Sequence, residues 1–221
     1  MDARFIKLTT TLRGYLIGRQ YFTSLDAMEF MLEWQGGVDQ LRDDDVTREA
    51  QHPIEVAHIC RALPGLIYHE DTIASALLHD VPEDYRMVKH TDVSARFGPR
   101  IGTAVQLLDK HGKDPAAQFV ALSEDPIGSI VKGVDRMANN HTMHLVRSAK
   151  RMQFKIDETR THILPMLKAA RRRFPQQEAA YELIKFTLET QCSLYDSLIK
   201  ALTTQHGQAT TAKICSTEAA Q

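Results

Sequence analysis

Apolar residues along the chain recur at three- and four-residue spacing rather than in alternation, a pattern that predicts helices and no convincing strand. Ala27, Met28, Met31 and Trp34 form one such stripe, opened by Ser24 as an N-cap and closed at Gly36-Gly37. From Gly37 to Gln51 the chain turns polar, with Asp43, Asp44 and Asp45 in succession, and predicts a loop. Pro53 suits the first turn of a second helix carrying Ile54, Ala57 and Ile59, which stops at Pro64-Gly65. A third runs from about Thr72 through Ile73, Ala76 and Leu77 to His79-Asp80, where Pro82 ends it. Shorter helical patterns cover about 92–97, 99–108 and 127–139. Two long helices, about 148–173 and 176–204, follow, parted by Phe174-Pro175, with Pro165 as a kink in the first. From Gln205 onward small and polar residues predict a flexible tail over 205–221. The expected class is all-α: one domain over 1–204, its core at about 24–140 and a helical extension at about 148–204.

Length changes this picture little, since 221 residues can bury an ordinary core without disulfides or structural metal. Charge narrows the partners. The formal net charge is −1, from 27 basic and 28 acidic residues, and no interleaved basic and aromatic surface is evident, so DNA and RNA are not expected partners. Cys60, Cys192 and Cys215 are odd in number and widely spaced, which fits a reducing cytoplasm better than a disulfide framework. Met1 to Gly14 holds no apolar leader core, and no stretch approaches the roughly 18 apolar residues of a membrane span. A cytoplasmic protein without a membrane partner is expected; homo-oligomerisation is not legible.

The chemistry concentrates at a few positions. A lone His-Asp pair is usually structural, yet His79-Asp80 ends an apolar helix, where two adjacent side chains can converge on one ion. Imidazole plus carboxylate suits Mn, Fe or Zn. His52, where the charged loop meets its helix, offers a second imidazole. Asp135 lies beside the apolar and small stretch Ile130-Val131-Lys132-Gly133-Val134, and a buried charge there needs a partner such as a cation.

In order, His52, His79-Asp80 and Asp135 match the ligands of the HD phosphohydrolase superfamily. The runs His52-Pro53-Ile54-Glu55-Val56-Ala57, Ala76 to Asp84, and Val131 to Arg136 with Asn139 resemble the hydrolase domain of RelA/SpoT proteins and the small alarmone hydrolases. Phe97-Gly98 also fits, and the likeness spans roughly 24–140. It implies an HD-domain helical bundle that holds one divalent ion, with Mn²⁺ the expected metal, at His52, His79, Asp80 and Asp135. The implied activity is removal of the 3′-pyrophosphate of (p)ppGpp, a small-molecule nucleotide substrate. Glu83 and Asp84 match the family's acidic pair that orients the attacking water and accepts its proton. Asn139, one turn after Asp135, would contact the sugar or simply end its helix. Arg42 stands where the family places an arginine on the guanine, and Arg136 and Lys110 are candidate phosphate contacts. Where relatives read Arg-Lys-Asp-Gly, this chain reads Arg42-Asp43-Asp44-Asp45, so the loop carries added acid toward a polyanion. Another HD nucleotide phosphohydrolase, or a non-catalytic nucleotide-binding or antitoxin-like protein, remains an alternative.

Other features have plainer readings. Arg171-Arg172-Arg173 complements a helix C-terminus, His141 and His144 read as surface or supporting groups, and Phe186, Leu188 and Tyr195 read as core or helix-pairing residues.

Overall fold

The computed structural model describes residues 3–37, 40–42, 47–146 and 148–218, and among these the secondary structure is helical save for one antiparallel bridge between Leu41 and Arg48. The helices in order are α1 (Ala3–Arg19), α2 (Phe22–Gln35), α3 (Gln51–Cys60), α4 (His69–Leu78), α5 (Val81–Asp84), α6 (His90–Phe97), α7 (Pro99–Leu108), α8 (Pro115–Ser123), α9 (Gly128–Thr142), α10 (Ala149–Glu158), α11 (Leu164–Arg173) and α12 (Glu178–Glu218). The pattern analysis assigns neither α1 nor α8. Both have local causes: α1 buries Phe5, Leu12 and Leu16 at helical spacing, and Asp114 caps α8 by accepting from Ala117 N–H at 2.8 Å, with Pro115 behind it. Backbone helix also continues past Thr204 to Glu218, beyond the end expected for α12; no proline interrupts that stretch, and extending a helix needs no new nucleus.

Ser24 is a correction. It sits inside α2, where its hydroxyl donates to the Glu70 carbonyl at 2.8 Å. The Glu70 side chain, reaching from α4, accepts from the Thr23 and Ser24 amides at 2.9 and 3.4 Å, so the free donors at the start of α2 are satisfied from a neighbouring helix.

The core is built where α4 packs between α2 and α3, and α9 packs on α3 and α12. Ile54, Ile73, Leu77 and Leu78 are fully excluded from water, each contributing about 1.5–3 kcal/mol by burial. Ser129 and Tyr181 share a 2.8 Å hydrogen bond that ties α9 to α12. Gly133 lets α9 approach that side closely, since an added Cβ would lie 2.8 Å from Ile184 and 3.0 Å from Leu167. Two residues on, about 200° around the helix at ~100° per residue, Asp135 faces the opposite way.

From α10 to α11 the helix continues through a π turn at Thr159–Ile163, just before Pro165. Pro165 has no N–H to give and its ring crowds the preceding turn, so the expected kink takes the form of a widened turn. Phe186 departs from its reading: Leu188 and Tyr195 are buried, but Phe186 is 69% exposed.

α6 and α7 meet face to face at Gly102, where an added Cβ would fall 2.7 Å from the Ser94 Cα, a backbone atom that cannot step aside. Gly102→Ala is therefore expected to cost about 1–3 kcal/mol in overpacking, more than the ~1 kcal/mol gained in helix propensity. Thermal unfolding should show a fall of a few degrees.

Candidate metal centre and substrate pocket

Three helices deliver the ligand-type side chains to one point. His52 enters from the first turn of α3, His79 from the residue that ends α4, and Asp135 from the middle of α9. His52 Nε2 lies 3.0 Å from Asp135 Oδ1, His79 Nε2 lies 3.8 Å from the same oxygen, and the two rings meet edge to face at 5.3 Å. One donor atom from each of the three falls within 4.8 Å of the others. Asp80, half-buried, completes the ring with Oδ2 at 3.1 Å from His79 Nε2 and 3.8 Å from His52 Nε2.

The residues fit a cation. His79 Nδ1 is 2.8 Å from the Ala76 carbonyl, which requires Nδ1–H as donor and leaves the Nε2 lone pair facing the cluster. That Nε2 is buried and has no well-aligned hydrogen-bond partner. Burial lowers the basicity of His79, but Asp80 and Asp135 outweigh it and push its pKa up to about 9, so in the metal-free protein a proton supplies the missing positive charge. Burial likewise opposes ionisation of Asp135, while Lys132 at 3.2 Å and the His52 hydrogen bond hold its carboxyl well below the usual range. Asp80 is lowered to about 2 by His79 against its own burial, and His52 is lowered by burial.

This cluster forms one wall of a cavity of about 550 Å³. The expected metal ligands, the acidic pair Glu83 and Asp84, and the expected substrate contacts Arg42, Lys110, Arg136 and Asn139 all border it. Glu83 and Asp84 arrive on α5, where Pro82 occupies the first turn instead of only stopping the preceding helix. Glu83 Oε1 lies 2.5 Å from Lys110 Nζ, so these two expected site residues are bound to each other. Among the described residues Asp84 forms no ion pair; Gln35 Nε2 donates to it at 3.3 Å, and burial together with Asp80, Glu49 and Glu83 raises its pKa to about 6. Asn139 donates to Asp135 Oδ1 at 2.5 Å and accepts from Arg42 at 2.7 Å, which joins the loop to α9. Arg136 is buried in an ion pair with Glu158. Asp43, Asp44 and Asp45 lie outside the described residues.

The sequence reading leaves out part of the lining. Glu49, Lys132, Arg151, Lys155 and Glu158 also border the cavity, three of them on α10. A signal existed: Arg151, Lys155 and Glu158 follow three- and four-residue spacing on the polar face of an amphipathic helix. Burial lowers the Lys155 pKa, and Arg136, Lys132 and Lys110 add repulsion that Glu158 only partly offsets. Such crowding of cations favours an anionic ligand. Lys155→Ala should accordingly raise KM for a polyphosphate substrate about tenfold with little change in kcat, and the penalty should shrink in high salt. Steady-state kinetics at two ionic strengths checks this. Outside the cavity, Arg171 pairs with Glu182 and Arg173 lies 3.4 Å from Glu124, as expected of a surface cluster; His141 and His144 are exposed. No helix among the described residues is long and apolar enough to cross a membrane.

Comparison with known proteins gives concordant results. Residues 27–126 match the family model described as HD domain. Over 114 residues the chain is 37% identical to a Brucella abortus (strain 2308) protein named GTP pyrophosphokinase rsh. Over 109 residues it is 33% identical to an Aquifex aeolicus (strain VF5) protein named guanosine-3′,5′-bis(diphosphate) 3′-pyrophosphohydrolase. These alignments take in 46% and 45% of the chain and 15% of each relative.

Proposed function

We propose, on the premise that this chain carries an HD domain of the RelA/SpoT hydrolase type, that it is a metal-dependent phosphohydrolase releasing pyrophosphate from the 3′ position of a purine nucleotide alarmone of the (p)ppGpp kind. One observation carries the reading: a single cavity brings the His52, His79 and Asp135 cluster together with the cationic side chains of Lys110, Lys132, Arg136, Arg151 and Lys155. A nucleotide bearing phosphate groups has both reactive phosphorus and excess negative charge, and this cavity answers both.

His52, His79, Asp80 and Asp135 would hold one divalent ion, with Mn²⁺ the proposed metal. When bound, it would lower the pKa of water and offset charge on phosphoryl oxygens. The protein's own groups do the remainder. Asp84, with its raised pKa, is suited to accept the proton of an attacking water. Glu83, fixed by Lys110, orients that water. Asn139 holds both Asp135 and Arg42, so the ligand and the expected base-stacking group share one support. Lys132 and Lys155 receive phosphate charge.

Purified protein with Mn²⁺, incubated with ppGpp, pppGpp, ppApp and deoxynucleoside triphosphates and resolved by ion-exchange chromatography, tests the reading. Pyrophosphate and GDP from ppGpp are the expected products. Turnover confined to the triphosphates would assign another HD activity, and metal-replete protein without turnover of any of them would assign recognition alone.

A further inference from the structure

A second group of ligand-type side chains sits in the turn after α7. Asp109 follows the last residue of that helix and is buried. Its Oδ1 accepts the His111 backbone N–H at 2.9 Å and lies 3.0 Å from His111 Nδ1; its Oδ2 lies 3.0 Å from His90 Nε2 and 3.7 Å from the Arg86 guanidinium. Glu83 approaches from α5, and one donor atom each from Glu83, Asp109 and His111 falls within 4.8 Å of the others. We propose that Glu83, Asp109 and His111 form a second site for a divalent transition-metal ion, distinct from the His52, His79 and Asp135 centre. The inference does not rest on the proposed reaction.

Two carboxylates and an imidazole are a donor set for Zn²⁺, Co²⁺ or Mn²⁺ rather than for Mg²⁺ or Ca²⁺, which take oxygen ligands. The turn that carries two of them is held from several directions. Gly112 bends it at φ +68°, Lys113 Nζ donates to the Asp109 carbonyl at 2.6 Å, and Gln118 Nε2 donates to the Leu108 and Asp109 carbonyls at 3.2 Å. His90 fixes the Asp109 carboxylate as an outer hydrogen-bond partner, the arrangement that orients metal-binding side chains. His90 Nδ1 is itself buried without a hydrogen-bond partner among the described residues. In the metal-free protein the positive charge beside Glu83 comes from Lys110, a side chain 70% exposed and so free to swing away when an ion takes its place.

Equilibrium dialysis of the full chain against Zn²⁺ or Co²⁺, followed by elemental analysis, decides the matter. The expected result is two ions per chain for the wild type, one for His111→Ala, one for His79→Ala and none for the double variant. His111 is half-exposed, so its removal should leave the circular dichroism unchanged. Affinity for the second ion should fall about tenfold or more in His111→Ala. A wild-type stoichiometry of one that falls to zero in His79→Ala, or a folded His111→Ala protein that still binds as many ions as the wild type, overturns the second site. Failure of the first centre is distinguishable, because it would appear as unchanged binding in His79→Ala.

Discussion

His79→Ala is expected to lose its bound Mn²⁺ and all measurable turnover. Its Nε2 is buried and faces the Asp80 and Asp135 carboxylates, while Nδ1 is committed to the Ala76 carbonyl, so no other orientation of the ring can replace it. Loss of a group that merely supports a ligand costs about 10–100-fold in metal affinity, and loss of the ligand itself should exceed that. Asp80 and Asp135 raise the His79 pKa to about 9, and the proton they retain there must leave when an ion binds. Wild-type affinity should therefore weaken by about tenfold for each pH unit below 9, while the variant should bind no Mn²⁺ at any pH tested. Titration with Mn²⁺ at several pH values, with circular dichroism as the check on folding, measures both. Normal Mn²⁺ stoichiometry in folded His79→Ala would remove this residue from the centre.

The next largest effect is expected at the acidic pair, and the structure separates its members. Asp84 has no cationic partner among the described residues and a pKa raised to about 6, which suits it to accept a proton near neutrality. Asp84→Asn should retain metal and substrate binding while losing about 10²-fold or more in kcat. For the wild type the sign follows from the base form: activity falls as pH drops through the Asp84 pKa, at or below about 6 once a cation sits nearby, and is flat above it. The variant should show no such limb. Glu83→Gln should also lower kcat with the ion at the His79 centre retained, but it frees Lys110 as well, so KM should move with kcat. Near wild-type kcat in both variants would take the pair out of the chemistry.

The helical class and the identity of the ligand-type residues were legible because their causes are local. Helical spacing of Ile73, Ala76 and Leu77 is written in adjacent turns, and His79 and Asp80 are neighbours in the chain, so one element carries both. The resemblance to the HD phosphohydrolase superfamily is what grouped His52 and Asp135 with them, and the fold brings these side chains together. Ser24 failed as a cap for the opposite reason. Its partner, Glu70, is 46 residues away, and no local rule ranks a distant carboxylate above an adjacent hydroxyl.

Electrostatic roles depended on the tertiary structure throughout. Arg136 and Lys110 both read as candidate phosphate contacts in the sequence, yet Glu158 pairs with one and Glu83 with the other, and those pairings follow from how α10 and α5 are seated. Asp84 and Glu83 are adjacent and chemically alike, but packing sets Glu83 against Lys110 and buries Asp84 near Asp80 and Glu49, which raises its proton affinity. Glu49, Arg151 and Lys155 join the cavity for the same reason. Spacing determined which side chains share a helix face, whereas charge interactions depend on separation and burial between elements far apart in the chain, and only the packed helices set those distances.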